Sequence, residues 1–358
     1  MPQISRSEED VFHVLLTGFG VRIFVLGSIY TLELINTLQS QPFRNYKVNP
    51  SWLAVKPLHN TIIPLDPYPV VIDGQVVNRN AEESGGRNRV VKVSALEIPM
   101  EYEAVMRTVP GLHLRPPQLP DTVNKDDFFS LPEGKGYDFI FHLGVAGQGA
   151  LRMEQVAHKL GYQMKDATGR LAPIVTRHPG EFAGAPGRND DEEVVDVSVG
   201  AVVPSGPSVS NAGFGNVGGS GLNGGADRDR LSGLEMIESA ARPNRGFGVG
   251  YEKFTDDLYT DIDVSRLIHD LRESGIDQVY SSMDAGHYLC DFMYYCSLAE
   301  SKRNGKPYEK DRNTQVLFVH VPPVGLPLTT EQCTEAVRRI IQWVGGELAE
   351  LHDLQHLR

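Results

Sequence analysis

The chain has 358 residues, of which 41% are hydrophobic and 22% charged, which is the composition of a globular protein. A formal net charge of −12 argues against nucleic acid and anionic membrane surfaces as partners. Three cysteines are too few for a disulfide framework, and the polar first residues do not resemble a signal peptide. We therefore expect a reducing, cytoplasmic location. No apolar run is long enough to predict a membrane span.

The first predicted strand covers Val11–Leu16 and ends in a turn, T-G-F-G, at residues 17–20. In open α/β sheets the corner after a strand faces the ligand crevice. Phe19 is therefore a candidate for contact with a ligand, and a plain core position is the alternative. A short helix is predicted from residue 50, because proline suits the first helical turn. Residues 61–71 are rich in proline and predict a segment that wraps the surface.

Two further strands are predicted in the middle of the chain. Val90–Leu96 ends before Pro99 and precedes a helix that begins at Met100. Tyr137–Leu143 is followed by a glycine-rich loop, but neither a G-x-G-x-x-G motif nor a Walker lysine accompanies it, so a nucleotide site is not indicated. Glu154 lies in a polar stretch, for which solvated surface is the usual interpretation.

A long segment, residues 175–245, shows neither helical nor strand periodicity. It contains an acidic run and a tract rich in glycine, serine and asparagine. Such a composition cannot bury enough apolar surface to offset the entropy of ordering, so we expect a disordered insertion rather than a second domain. Beyond it, residues 256–274 predict a helix and residues 278–282 a strand.

The most informative stretch follows that strand and reads M-D-A-G-H-Y-L-C-D-F-M-Y-Y-C-S at residues 283–297. A tight turn leads into residues with helical spacing, which places Cys290 in the first turn of a helix. There the unpaired backbone N–H groups and the helix dipole stabilise a thiolate, as a nucleophile requires. The alternative is that Cys290 is one more small core residue.

A histidine near the end of the chain is the candidate partner of that thiol. Gln315–Val321 is a continuous β-branched and aromatic run closed by two prolines, which predicts a buried strand. His320 at its carboxyl end could accept the proton of Cys290 and later donate it to a leaving amine. A core histidine with a backbone partner is the other interpretation. An amphipathic helix is predicted from Thr330 to His352.

The alternation of strands and helices predicts one α/β domain over residues 8–355. We expect a three-layer sandwich in which a mostly parallel, twisted sheet is covered by helices on both faces.

Five motifs in this order resemble those of the type I pyroglutamyl peptidases, cysteine peptidases that remove an N-terminal pyroglutamate from peptides. The motifs are T-G-F-G with N-P-S-W, E-I-P-M-E-Y, H-L-G-V-A-G followed by M-E-Q-V, D-A-G-H-Y-L-C-D-F-M-Y-Y and F-V-H-V-P-P. The resemblance implies that Cys290, His320 and Glu154 are catalytic, with no metal or cofactor. It also implies a set of residues around the pyroglutamyl ring: Phe19, Phe43, Met100, Val145, Tyr288 and Leu289. The substrates would be peptides with an N-terminal pyroglutamate, and the oligomeric state stays open.

The sequence departs from this family at residues 21–41, which are apolar and separate Phe19 from Phe43. Without them the chain reads T-G-F-G-P-F-R-N-Y-K-V-N-P-S-W, which is the family pattern. The segment begins with Val21 and ends with Gln41. A valine codon begins with GT and a glutamine codon can end in AG, which are the usual first and last nucleotides of an intron. We interpret the segment as a retained short intron, and a helical insertion is the alternative.

The sequence leaves two other functions open. The chain could be a catalytically weak or inactive relative that binds ligands, because residues 21–41 divide the pocket. It could also be another α/β enzyme, such as a nucleoside phosphorylase-like protein, in which the thiol is coincidental. Turnover of a pyroglutamyl amide separates the peptidase from the first alternative, and a dependence on phosphate would indicate the second.

Overall fold

The computed structural model describes residues 10–20, 48–65, 70–72, 75–77, 89–175, 243–305 and 313–356. All of these except Pro243 belong to one compact unit, Met1–Val175 with Asn244–Arg358. Phe43, the segment 21–41 and nearly all of the predicted insertion 175–245 lie outside the described residues. No helix in the described part of the chain combines the length and the apolar character that crossing a membrane requires.

Strands and helices alternate along much of the chain. The strands are β1 (Val11–Gly20), β2 (Thr61–Pro64), β3 (Val70–Ile72), β4 (Gln75–Val77), β5 (Val90–Pro99), β6 (Phe139–Val145), β7 (Leu151–Glu154), β8 (Val156–His158), β9 (Asp257–Tyr259), β10 (Val279–Ser282) and β11 (Gln315–Val321). The α-helices are α1 (Pro50–Val55), α2 (Tyr102–Leu112), α3 (Val264–Glu273), α4 (Leu289–Asn304) and α5 (Thr330–His356). Short 3₁₀ turns occupy Lys56–Leu58 and Lys125–Asp127.

Seven strands form the central sheet in the order β10-β7-β11-β6-β1-β5-β2. The strands β11, β6, β1 and β5 are parallel neighbours, and β10 is parallel to β7. Two junctions are antiparallel, β7 with β11 and β2 with β5. In the middle of the sheet, every residue of β6 is buried, as both faces of a parallel sheet usually are.

Helices cover both faces of the sheet, so the predicted three-layer α/β fold is confirmed. Alternate residues of β6 and β11 enter two different core clusters, as the period of two along a strand requires. Leu143 and Val319 pack with apolar residues of α1, α3 and α5 on one face. Ile140 and Phe318 pack with residues of α2 and α4 on the other face. Cys290 belongs to this second cluster.

Several local predictions were wrong because pairing with distant strands overrides local pattern. The predicted turn at residues 17–20 is the end of β1, which stays paired with β5 as far as Pro99. Within the predicted surface segment 61–71, Thr61–Pro64 forms an edge strand, where proline is tolerated. The predicted helix 256–274 begins only at Val264, because Asp257–Tyr259 pairs with β8.

The chain ends that flank two undescribed segments lie close together. The N–H of Phe19 donates to Ser51 Oγ at 3.2 Å, so β1 and α1 meet on either side of residues 21–47. A Cβ atom on Gly18 would lie 2.9 Å from the Cα of Trp52, so only glycine fits at this contact. Likewise, the N–H of Val175 donates to the carbonyl of Asn244 at 2.8 Å.

Candidate active site

Two predicted catalytic residues lie on neighbouring strands that run in opposite directions. His320 is the sixth residue of β11, and Glu154 is the last residue of β7. The antiparallel register pairs Phe318 with Glu154 and His320 with Arg152. Because alternate residues of a strand share a face, Glu154 and His320 both point to the α4 side of the sheet. The polar stretch around Glu154, expected at the surface, is therefore a buried strand.

A short hydrogen bond joins these two side chains inside the protein. His320 Nδ1 lies 2.6 Å from Glu154 Oε1, and both residues are buried. The second carboxylate oxygen, Glu154 Oε2, has no partner among the described residues. The backbone of Glu154 is also fixed, because the hydroxyl of Tyr294 on α4 donates to its carbonyl at 2.8 Å. The imidazole of His320 is thus oriented by a carboxylate that is itself held in place.

Gly144 on β6 lies next to both His320 and Cys290. The parallel register places Gly144 directly opposite His320. A Cβ atom on Gly144 would lie 2.7 Å from Cys290 Sγ and 2.7 Å from the ring of Phe318. The thiol therefore occupies space that glycine leaves free, beside the strand that carries the histidine. In the described part of the chain no hydrogen bond joins Cys290 to His320; contacts of this kind commonly tighten only when substrate binds.

The surroundings of Cys290 favour the neutral thiol in the resting protein. Cys290 is the second residue of α4, as predicted. However, burial raises the pKa of its thiol to about 12, and the carboxylates of Glu154 and Asp291 act in the same direction. Arg152 acts in the opposite direction and lowers the pKa. The expected stabilisation of a thiolate by the helix start is outweighed by burial, so a base is needed to remove the proton.

The residues proposed for the substrate pocket do not all lie together. Phe19, Met100 and Leu289 share the buried cluster of Cys290, and Tyr288 packs against it. The hydroxyl of Tyr288 donates to the carbonyl of Lys165 at 3.1 Å. Val145 packs into the cluster on the other face of the sheet, so its side chain does not point towards Cys290. Any contact of Val145 with a ligand in this site would have to use its backbone.

Sequence reasoning missed Arg152, which faces the same side of the sheet as Glu154. Its Nε lies 4.0 Å from Glu154 Oε1, and its side chain is about one third exposed, at 32%. A spacing of two along a strand is the signal that could have found it. That signal was hidden because Leu151–Glu154 was not predicted as a strand.

No protein-family model matches the chain. A stretch of 90 residues, 25% of the chain, is 37% identical to pyroglutamyl-peptidase 1 of Mus musculus. A stretch of 82 residues is 39% identical to pyroglutamyl-peptidase 1 of Homo sapiens. This chain resembles the pyroglutamyl peptidases. The resemblance first found in the five motifs is thereby confirmed, although the matches span only 38% and 34% of those relatives.

Solved pyroglutamyl peptidases are also similar to the chain over most of its length. The pyrrolidone carboxyl peptidase of Fervidobacterium islandicum AW-1 is 18% identical, with 93% of this chain and 98% of that one covered and a TM-score of 0.45. Pyroglutamyl peptidase I of Bacillus amyloliquefaciens is 15% identical, with 92% and 94% covered and a TM-score of 0.45.

The buried pair of Glu154 and His320 predicts a specific pattern in a double-mutant cycle of stability. His320→Ala should lower the free energy of unfolding by about 3 kcal/mol, because it leaves Glu154 buried without its hydrogen-bond partner. Adding Glu154→Gln to His320→Ala should restore part of this loss, since a neutral amide costs less to bury than a carboxylate. Urea unfolding at pH 7 gives the free energy of unfolding of the wild type, the two single variants and the double variant. Strictly additive effects would contradict the pairing.

Proposed function

We propose that this chain is a cysteine peptidase that hydrolyses the amide bond after an N-terminal pyroglutamyl residue. The main support is that Cys290, Gly144 and the hydrogen-bonded pair of His320 and Glu154 meet at one place in the fold. The sequence similarity to pyroglutamyl-peptidase 1 supports the choice of substrate. Peptides with a pyroglutamyl N-terminus are the proposed partners, and the cytoplasm is the proposed location.

In the proposed first step, Cys290 Sγ attacks the carbonyl carbon of the pyroglutamyl residue. Because the Cys290 thiol has a raised pKa, its proton has to pass to a base as the carbon–sulfur bond forms. His320 Nδ1 is engaged by Glu154, so Nε2 is the nitrogen that accepts this proton. The same nitrogen then donates the proton to the leaving amine, which releases the rest of the peptide and leaves a thioester on Cys290.

The second step returns the enzyme to its starting state. A water molecule gives one proton to His320 Nε2 and attacks the thioester carbonyl. Collapse of that intermediate releases pyroglutamate, and the proton returns to Cys290 Sγ. Glu154 touches no reacting atom and acts as a positioning residue, which holds the imidazole and stabilises its positive charge.

The developing oxyanion needs a hydrogen-bond donor near Cys290. The first N–H groups of a helix have no partner within the helix, and Cys290 is the second residue of α4. We propose that one of these backbone N–H groups binds the oxyanion.

The ring of the substrate would lie against Phe19, Met100, Tyr288 and Leu289, with Phe43 as a further wall. Backbone hydrogen bonds to the lactam would then distinguish pyroglutamate from proline.

We further propose that residues 8–355 form one domain into which residues 21–41 and 175–245 are inserted. The support is that the described residues on the two sides of each undescribed segment lie close together. Phe19 is hydrogen-bonded to Ser51 across the first. Val175 is hydrogen-bonded to Asn244 across the second. Long insertions at such points cost little, because loop-closure entropy grows only slowly with length.

Replacement of the proposed nucleophile tests the chemistry directly. Cys290→Ser should reduce kcat/KM on a pyroglutamyl fluorogenic amide to below about one tenth, which corresponds to ~1.4 kcal/mol of barrier, because a hydroxyl is far less acidic than a thiol. Cys333→Ser is the matched control, since Cys333 packs on the other face of the sheet. A Cys290→Ser protein that keeps its rate would exclude Cys290 as nucleophile. A wild-type protein that binds the substrate analogue without turnover would favour the binding-protein alternative.

Deletion of residues 21–41 tests the interpretation of that segment. Removal joins Gly20 to Pro42 and leaves residues 42–47 to reach Val48. Six residues can span up to about 20 Å, and the β1–α1 contact at Phe19 and Ser51 shows that the gap is short. The shortened chain should be more soluble and have a higher kcat/KM, because the apolar run favours aggregation and separates Phe19 from Phe43 in the sequence. Equal activity of the two forms, or a shortened chain that does not fold, would show that the segment is a structural element.

A further inference from the structure

A second cluster of side chains lies beside the proposed nucleophile and has no part in the proposed reaction. It consists of His158, His287 and Asp291, whose ligand-type atoms all lie within 4.8 Å of one another. His158 ends β8, His287 lies in the segment before α4, and Asp291 lies in the first turn of α4. The Asp291 side chain is fully buried, whereas the side chains of His158 and His287 are 23% and 51% exposed. An ion could therefore reach the buried carboxylate from solvent past the two imidazoles.

The carboxylate of Asp291 is held in a fixed orientation. Its Oδ1 accepts the backbone N–H of His158 at 3.1 Å. Its Oδ2 lies 3.0 Å from the hydroxyl of Tyr162, which is also in hydrogen-bond contact with the carbonyl of His158. Outer contacts of this kind orient the ligands of metal sites and are important for affinity. They leave Oδ2 as the oxygen that faces both imidazoles.

Two of the three donor-atom separations are close to the edge of a coordination tetrahedron, and the third is at most 4.8 Å. Asp291 Oδ2 lies 3.2 Å from Nδ1 of His158 and 3.7 Å from Nδ1 of His287. With metal–ligand bonds of about 2.0–2.1 Å, the edge of a coordination tetrahedron is about 3.3 Å. Neutral imidazole nitrogens with one carboxylate oxygen form a donor set that suits Zn²⁺ and related ions. Three protein ligands leave a fourth position for water on the exposed side.

A proton alone accounts for only part of this arrangement. A protonated His158 explains the hydrogen bond to Asp291 Oδ2. That one proton does not account for His287, whose Nδ1 lies 3.7 Å from the same oxygen, beyond hydrogen-bond range but within that of an ion pair. A second cation, either a proton on His287 or a metal ion shared by both rings, completes the arrangement. Asp257, which is paired with His158 across β8 and β9, adds a further carboxylate near the cluster. The surroundings therefore attract cations.

We propose that His158, His287 and Asp291 bind a divalent transition-metal ion of the zinc class, at a site whose residues take no part in the proposed bond-making and bond-breaking steps. The fourth ligand is water. Bound metal links β8 to the start of α4 and so ties together two elements on the α4 side of the sheet. The side chain of His287 is half exposed, and its ring also packs edge-to-face against Tyr162.

Cobalt(II) titration of the reduced, full-length protein tests this proposal. Tetrahedral Co²⁺ should give visible d–d absorption at a 1:1 ratio, and Zn²⁺ should displace it. His287→Ala should weaken binding at least tenfold, the lower end of the effect of losing an outer contact alone. His269→Ala is the matched control, because His269 is an exposed histidine on α3, and it should bind like wild type. Asp291→Asn should also weaken binding, with folding checked by circular dichroism.

The remaining outcomes each contradict the proposal. A sulfur-to-cobalt charge-transfer band that disappears in Cys290→Ser would place the metal on the thiol instead. Equal affinity of wild type and His287→Ala would remove His287 from the site. No Co²⁺ or Zn²⁺ binding by the wild-type protein at millimolar metal would show that the cluster is an ion pair only. None of these readouts depends on peptidase activity, so failure of the metal site and failure of the proposed function can be told apart.

Discussion

The hydrogen bond between His320 and Glu154 depends on one topological constraint, the reversal of strand direction between β7 and β11. A buried carboxylate costs free energy unless a donor meets it, and the donor here comes from the neighbouring strand. The antiparallel register places Glu154 opposite Phe318, two residues from His320 on the same face. On the other side of β11, the parallel register places Gly144 beside His320. The two junctions of β11 therefore position the imidazole between a carboxylate and the space that Cys290 occupies.

Much of the fold could be predicted, because the central strands are continuous apolar runs and the long helices have apolar residues at helical spacing. Gln315–Val321 is a largely apolar run followed by two prolines, and its predicted limits match β11. The elements that were missed take their structure from partners distant in the chain. Leu151–Glu154 is short and half polar, yet it is a strand because β10 and β11 pair with both its edges. The apolar residue of Asp257–Tyr259 has helical spacing with the apolar residues that follow it. The segment is nevertheless a strand, because it forms backbone hydrogen bonds with β8.

The candidate site could be predicted in part for the same reason. Cys290 and His320 were found from local chemistry, a thiol at a helix start and a histidine at a strand end. Glu154 came from the resemblance alone, because nothing in its own neighbourhood indicates burial. Arg152 and Gly144 could be placed only once strand register was known, since their positions relative to His320 are set across strands. The thiol pKa could not be inferred from sequence, because burial outweighs the helix start.

Cys290 is the proposed nucleophile, in a site that recognises the pyroglutamyl ring. A pyroglutamyl chloromethyl ketone carries that ring and alkylates a thiol with loss of chloride. Intact-mass and peptide mass spectrometry of the treated protein would locate the adduct. We expect one adduct, on the peptide that contains Cys290, and no adduct from the prolyl analogue, which lacks the lactam carbonyl. Labelling of Cys296 or Cys333, or equal labelling by the two reagents, would contradict this assignment.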